Sequence, residues 1–128
     1  MEAAIQEALP NRGAIGGKKT PFAEYEESKE GLDIIVTWAL AEPVWDSKSM
    51  KLAGLDIVKV LRAVNDCGID FRNVRVRVYV RGRDKAPAPT ELLVIDASYS
   101  KYTVKRSGLD SFSVFSAADS IEVQQIGG

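Results

Sequence analysis

The chain has 128 residues, of which 27% are charged, and its 17 basic and 18 acidic side chains give a formal net charge of −1. This length and near-neutral balance are typical of one globular domain and unlike a general nucleic-acid binder. The sequence contains no histidine and a single cysteine, which excludes Ser-His-Asp and Cys-His catalysis, most zinc sites and an intrachain disulfide.

The charges are distributed unevenly along the chain. Residues 1–46 carry four Lys or Arg and nine Asp or Glu, a balance of −5. Residues 72–106 carry nine Lys or Arg and three Asp or Glu, a balance of +6. Either the two segments neutralise each other inside the fold, or the basic segment faces a partner.

The N-terminal segment predicts a short helix followed by a connector. Residues 1–9 have helix-favouring composition and stop at Pro10, and the glycine-rich residues 11–21 are typical of a flexible connector. We therefore divide the chain into residues 1–21, an N-terminal helix and flexible connector, and residues 22–126, a single α+β domain.

Two strands are predicted before the main helix. Residues 22–26 predict a short edge strand, and residues 32–40 predict a longer strand that ends before Pro43. In the longer strand, alternation places four apolar side chains on one face, namely Leu32, Ile34, Val36 and Trp38. That face is expected to contribute to the core.

Residues 53–67 predict the one main helix. On a helical wheel, five apolar side chains form a continuous stripe: Ala53, Ile57, Val60, Leu61 and Val64. Four charged residues lie away from this stripe, namely Asp56, Lys59, Arg62 and Asp66. Gly68 stands where a left-handed C-cap belongs. Leu52 and Leu55 fall off the stripe, so we expect the first turn to be irregular or to pack against another element.

Residues 74–83 read VRVRVYVRGR and form the most informative pattern in the chain. Side chains of a strand alternate between two faces, so one face carries Val74, Val76, Val78 and Val80. The other face carries the Arg/Tyr row, which we define as Arg75, Arg77, Tyr79 and Arg81. Such a strand is typical of a sheet that is packed on one face only.

The last third of the chain predicts a loop, a strand, a short helix and an extended end. Polar, proline-containing residues 83–90 form the loop, and residues 92–99 form the strand. In this strand Leu93, Ile95, Ala97 and Tyr99 face opposite Leu92, Val94, Asp96 and Ser98. Residues 109–120 favour a short helix, and residues 121–125 an extended segment.

Together these elements predict an α+β fold: a small antiparallel or mixed sheet of three to five strands, with one main helix packed on one face. The valine face, the apolar face of residues 32–40 and the helix stripe would form the core. The opposite sheet face would show the Arg/Tyr row with Thr37, Asp96 and Ser98, and with Ile35, Leu92 and Val94 at one end.

The Arg/Tyr row is the one candidate site, and its residues have two interpretations. Guanidinium groups spaced about 6.7 Å apart along a strand can grip carboxylates or follow a polyanion, and Tyr79 can stack on a ring. Alternatively, the arginines pair inside the fold with Asp96, with Asp33 or with the acidic residues 24–30. No catalytic, cofactor-binding or metal-ligating residues are predicted.

Three segments also resemble a known family. They are LDIVKVLRAV at residues 55–64, SYSKYTV at 98–104 and ADS at 118–120. These segments, in this order along the chain, resemble those of a small lipoprotein-associated domain of unknown function from Gram-positive, especially actinobacterial, proteins. The resemblance covers about residues 32–123. It implies a strand–helix–strand–strand order and an extracytoplasmic location, and it assigns no functional residues. If Met1 is the true start, the lack of a signal peptide indicates a cytoplasmic protein instead.

The sequence therefore favours a non-enzymatic binding or interaction module that recognises an unknown protein or anionic surface partner through the Arg/Tyr row. The resemblance implies the soluble domain of a cell-surface protein as its setting. The alternative is a cytoplasmic module that binds an anionic ligand or nucleic acid through the same row. Nucleic acid is disfavoured by the net charge, and no cofactor is predicted.

Overall fold

A five-stranded mixed sheet with one long helix on one face forms the body of the protein, as predicted. The computed structural model describes residues 1–41, 44–81, 91–106 and 108–126, without the side chain of Arg81. The helices are α1 (Glu2–Ala8), α2 (Ser47–Asp66), α3 (Lys101–Val104) and α4 (Ser113–Ala117). The strands are β1 (Ala14–Ile15), β2 (Lys18–Lys19), β3 (Phe22–Ser28), β4 (Gly31–Ala39), β5 (Asn73–Arg81), β6 (Glu91–Ser100) and β7 (Ser120–Val123).

The main sheet follows the chain in the order β3-β4-β5-β6-β7. Strands β4 and β5 are parallel, and the other three pairings are antiparallel. Parallel neighbours need a crossover connection, which α2 supplies between β4 and β5. Within the segment predicted as a connector, β1 and β2 form a separate hairpin beside the end of β4, where the Gly13 N–H donates to the Ala39 carbonyl at 3.2 Å.

Helix α2 begins at Ser47, earlier than the predicted start at residue 53, because a capping box holds its first turn. The Ser49 N–H donates to Asp46 Oδ1 at 2.8 Å, and the Asp46 N–H donates to Ser49 Oγ at 2.7 Å. The predicted left-handed residue at the C-terminal end of the helix is confirmed, since Gly68 has a φ of 68°. The off-stripe leucines therefore lie on a regular helix.

The core lies between the valine face of the sheet and α2. The predicted stripe of α2 is confirmed, since none of its five residues is more than 2% exposed. The β4 side chains Ile34, Val36 and Trp38 are fully buried against it. Gly54 marks a close approach, because a Cβ there would collide with the Ser111 carbonyl oxygen. A side chain at this position would push α2 away from the segment that leads into α4.

Two outlying segments close the same core. Helix α1 confirms the predicted N-terminal helix, and its residue Ile5, together with Leu9, is fully buried in the cluster that α2 and the sheet form. Tyr99 of β6 is also fully buried, and its hydroxyl donates to the Val114 carbonyl of α4 at 2.8 Å. The described helices that contribute to the core therefore lie on one side of the sheet, and they do not cover its opposite face.

Candidate functional site

The register of β5 places the predicted row on the sheet face opposite α2. Arg75 lies between Ile35 of β4 and Ser98 of β6, and Arg77 lies between Thr37 and Asp96. Directly paired residues point to the same face of a sheet. The face opposite α2, which we call the open face, therefore carries polar side chains from every strand of the main sheet.

Arg75 forms the central ion pair of the open face. Its Nε donates to Asp96 Oδ1 at 2.7 Å and its Nη2 donates to Asp96 Oδ2 at 2.5 Å, a bidentate geometry. This hydrogen bond holds the pKa of the Asp96 carboxyl below its usual value, and it raises the pKa of Arg75. Asp96 is thus one of the internal partners that the sequence offered for the row.

Arg77 packs along the strand onto its neighbour two residues away. Its guanidinium carbon lies 5.7 Å from the centroid of the Tyr79 ring, within cation–π distance. Its Nε is buried and has no hydrogen-bond partner among the described residues. Arg77 and Tyr79 are both half-buried, so Arg75 is the most exposed of the three row residues that the structure describes in full. The Arg81 side chain and residues 82–90 lie outside the described residues.

A β-bulge corrects the predicted faces of β6. The register between β5 and β6 shifts after Val78, so that Leu93 pairs with Tyr79 and Leu92 pairs with Val80. Leu93 therefore lies on the open face, and the prediction that Leu92 and Val94 lie there is wrong. Val94 is 1% exposed, because the one-residue insertion turns it into the core.

A polar depression of about 410 Å³ lies on the open face toward the start of β4 and β5, and of the row it includes Arg75 but neither Arg77 nor Tyr79. It combines four carboxylates, one guanidinium and several neutral polar groups, and we call it the sheet depression. Its lining residues are Glu26, Asp33, Ile35, Asn73, Arg75, Asp96, Ser98, Ser120, Ile121 and Glu122. None of residues 1–25 lines it, so the described N-terminal segment leaves the depression accessible.

The charges of the sheet depression are only partly paired. Asp96 binds Arg75, and Asp33 binds Arg72, which also contacts Glu30. Glu26 and Glu122 form no ion pair with any described residue, and both act on Arg75 through space to raise its pKa. Asp33 and Glu30, which were predicted as partners of the Arg/Tyr row, therefore pair with Arg72, an arginine that precedes the row.

A second recess lies on α2, and the sequence interpretation did not assign it a role. It has a volume of about 520 Å³ and is lined by Leu52 and Leu55 together with Leu40 and neighbouring residues. At its base the Arg12 Nη2 donates to Asp56 Oδ1 at 2.7 Å, and Nε donates to Oδ2 at 3.1 Å. In the sequence, the sign of this recess is the position of Leu52 and Leu55 off the core stripe of the helix.

The burial of Asp56 differs from what the helical wheel indicates. The wheel placed this residue away from the core stripe, yet it is only 5% exposed. Arg12, which lies 44 residues earlier in the chain, covers its carboxylate. The periodicity of a helix does not reveal a partner so far away in the sequence. The burial of Asp56 could therefore not be predicted from the helix alone.

Comparisons with other proteins leave both recesses without an assigned role. No family model matches the chain, and neither a curated protein nor a solved structure matches it. Among the described residues, no group of three or more Cys, Asp or Glu side chains is placed to hold a metal ion. No described helix is long and apolar enough to cross a membrane.

Proposed function

We propose that the protein is a non-enzymatic interaction module that recognises a partner protein through the open face of its sheet. The observation that carries this proposal is the sheet depression, in which Arg75 stands among paired and unpaired carboxylates on a face that no described helix covers. Arg77 and Tyr79 extend the contact surface along β5. Arg81 belongs to the proposed surface by the alternation of the strand.

The composition of the depression favours a protein partner of mixed charge. The bidentate bond uses Nε and Nη2 of Arg75, which leaves the N–H groups of Nη1 for an acceptor on the partner. Glu26 and Glu122 offer acceptors for a Lys or Arg of the partner. Protein interfaces commonly combine such a polar rim with an aromatic contact residue.

An anionic ligand or nucleic acid fits the same face less well. The charge of Arg75 is balanced by Asp96, and two further carboxylates face the incoming ligand. A phosphate backbone would meet this repulsion while gaining one free guanidinium edge. The extracytoplasmic setting rests on the family resemblance alone and is part of the proposal.

Site-specific photo-cross-linking tests the proposed surface. A photoreactive side chain at Ser98, inside the depression, is expected to give a discrete adduct with a protein in native extracts. The adduct should weaken when Arg75→Ala is added, and it should be competed by excess unlabelled protein. The matched control is Arg106→Ala, which removes an exposed arginine that does not line the depression.

Two results would contradict the proposal. One is an adduct of equal strength when the photoreactive group stands at Arg62 on α2, since that position is remote from the sheet face. The other is retention on heparin at physiological salt that is lost in Arg75→Ala, since this would indicate a polyanion as the ligand.

A further inference from the structure

One side of α2 carries a symmetric stripe that neither the core nor the sheet face uses. Lys48, Leu52, Leu55 and Lys59 follow one another at spacings of four, three and four residues. At 3.6 residues per turn these four side chains fall within roughly 60° of one another around the helix axis. We call this row the α2 stripe.

The α2 stripe forms one wall of the 520 Å³ recess described above. Leu52 and Leu55 are 50% and 41% exposed, so their apolar surface faces solvent instead of the core. Residues Leu40, Ala41 and Val44 lie across the recess from the helix. Six of the eleven lining residues are charged or polar, so the recess combines an apolar centre with a charged margin. A concave site of this volume, with apolar side chains beside a set of placed polar groups, is typical of a binding site.

The two acidic side chains among the described lining residues, Asp46 and Asp56, already have hydrogen-bond partners. The Asp56 carboxylate receives both hydrogen bonds from Arg12, and its side chain is 7% exposed. The Asp46 carboxylate accepts the Ser49 N–H as the N-cap of α2. Lys48 and Lys59, by contrast, form no ion pair with a described residue. The stripe thus presents an apolar centre between two lysines that form no ion pair within the described part of the chain.

We propose that the α2 stripe binds an acidic amphipathic segment of a partner protein. Two apolar side chains of that segment cover Leu52 and Leu55, and a carboxylate at each end reaches Lys48 and Lys59. Eleven residues of helix separate the two lysines by roughly 16 Å, which is the span of about three turns of a partner helix. Helix-in-groove recognition uses this arrangement of apolar anchors.

The same charges argue against a second copy of the chain as the occupant. Two α2 stripes packed against each other place lysine near lysine at both ends, in parallel and in antiparallel orientation. A small molecule with one carboxylate cannot reach both lysines across this distance. The proposal concerns a surface on the helical side of the protein and does not depend on the function of the open face.

A designed peptide tests the proposal directly. The probe is a 12-residue, alanine-based helical peptide with Glu at positions 1 and 12 and Leu at positions 5 and 8. Titration into the labelled protein is expected to shift the backbone amide resonances of residues 48–59, and to do so less at high salt. Leu52→Ala/Leu55→Ala should weaken binding at least about tenfold, because each leucine loses buried apolar area.

A charge swap separates recognition from loss of folding. Lys48→Glu/Lys59→Glu should lose the acidic peptide and gain the matching peptide with Lys at positions 1 and 12. Lys51→Glu/Arg62→Glu is the matched control, because it makes the same charge change at the same spacing on α2 without touching the recess. This control is expected to bind the acidic peptide within about twofold of the wild type, with the difference due only to screened long-range charge.

Three results would overturn the proposal. One is the absence of amide shifts at about 1 mM acidic peptide, an affinity weaker than any useful docking contact. Another is equal binding of the acidic and basic peptides to the wild type. The third is a set of shifts in residues 48–59 with laurate but not with the peptide, which would assign the recess to a small amphiphile.

Discussion

Two bidentate arginine–aspartate pairs, Arg12–Asp56 and Arg75–Asp96, have the same chemistry in different surroundings. The shortest N–O distances are 2.7 Å and 2.5 Å, and each guanidinium donates from Nε and Nη2. In the first pair the side chains are 16% and 7% exposed. In the second pair they are 44% and 18% exposed. The first joins the N-terminal segment to α2, and the second joins two neighbouring strands.

The difference in exposure separates a structural pair from an accessible one. Charges that are removed from water depend on each other, and loss of one partner leaves the other without compensation. An exposed pair gains little from its attraction, because water and salt screen it. We therefore expect the pair at Arg12 to hold the N-terminal segment on α2, and the exposed pair at Arg75 to be replaced by other contacts at little cost.

Removal of Arg12 is the largest expected effect. Arg12→Ala leaves the Asp56 carboxylate buried beside α2 without its only described ionic partner, so we expect a loss of about 3 kcal/mol in the free energy of unfolding. Urea denaturation followed by circular dichroism measures this change. A loss below about 1 kcal/mol would mean that water reaches Asp56 and that the two pairs are equivalent.

Replacement of the whole pair should cost much less than its disruption. In Arg12→Met/Asp56→Leu no buried charge remains, and apolar side chains fill the same space beside Leu40 and Leu55. We expect the double variant to unfold within about 1 kcal/mol of the wild type. The same denaturation series provides the comparison, and a double variant as unstable as Arg12→Ala would show that the pair holds the N-terminal segment by geometry that apolar contact does not replace.

The two pairs also show how far sequence reasoning reaches. The alternation in β5 predicts both its buried valines and its open-face arginines. The alternation in β6 places Asp96 on the same face, which made it one of the partners considered for the row. The pairing of Arg12 with Asp56 spans 44 residues and has no periodic signature. The capping box at Asp46 was readable, but the two exposed leucines obscured the first turns of α2.

The bulge in β6 marks another limit of pattern reading. Alternation assigns every second residue to one face, and one extra residue reverses that assignment for the rest of the strand. Leu92, Leu93 and Val94 were therefore placed on the wrong faces, although the strand itself was predicted. The parallel pairing of β4 with β5 was left open between antiparallel and mixed sheets, since it depends on where α2 returns the chain.

Removal of Arg75 should have a small effect on stability. Arg75→Ala removes a guanidinium that is 44% exposed, and solvent screening limits the expected loss to about 0.5 kcal/mol. Asp96 can then be hydrated or can turn toward Arg77. The contrast with Arg12→Ala in the same denaturation experiment is the measurement. A loss as large as that of Arg12→Ala would make Arg75 a structural residue and weaken its assignment to a binding surface.

The pH dependence of the exposed pair is the smallest and most specific effect. Because the Arg75 hydrogen bond lowers the pKa of Asp96 in the folded protein below the reference value of 3.8, the pair stabilises the fold above that value. This stabilisation is lost as the pH falls through the lowered pKa, so the stabilities of the wild type and of Arg75→Ala should converge in acid.

Carboxyl-carbon NMR titration follows this pair without unfolding the protein. In Arg75→Ala the pKa of Asp96 should rise, because the largest cause of its depression is gone and partial burial remains. Asp110 is the internal control, since the backbone N–H groups of Ser113 and Phe112 lower its pKa independently of Arg75. An unchanged Asp96 titration would mean that Arg75 already spends most of its time away from Asp96 in solution. An equal shift at Asp110 would instead indicate that the substitution changes the fold beyond the open face.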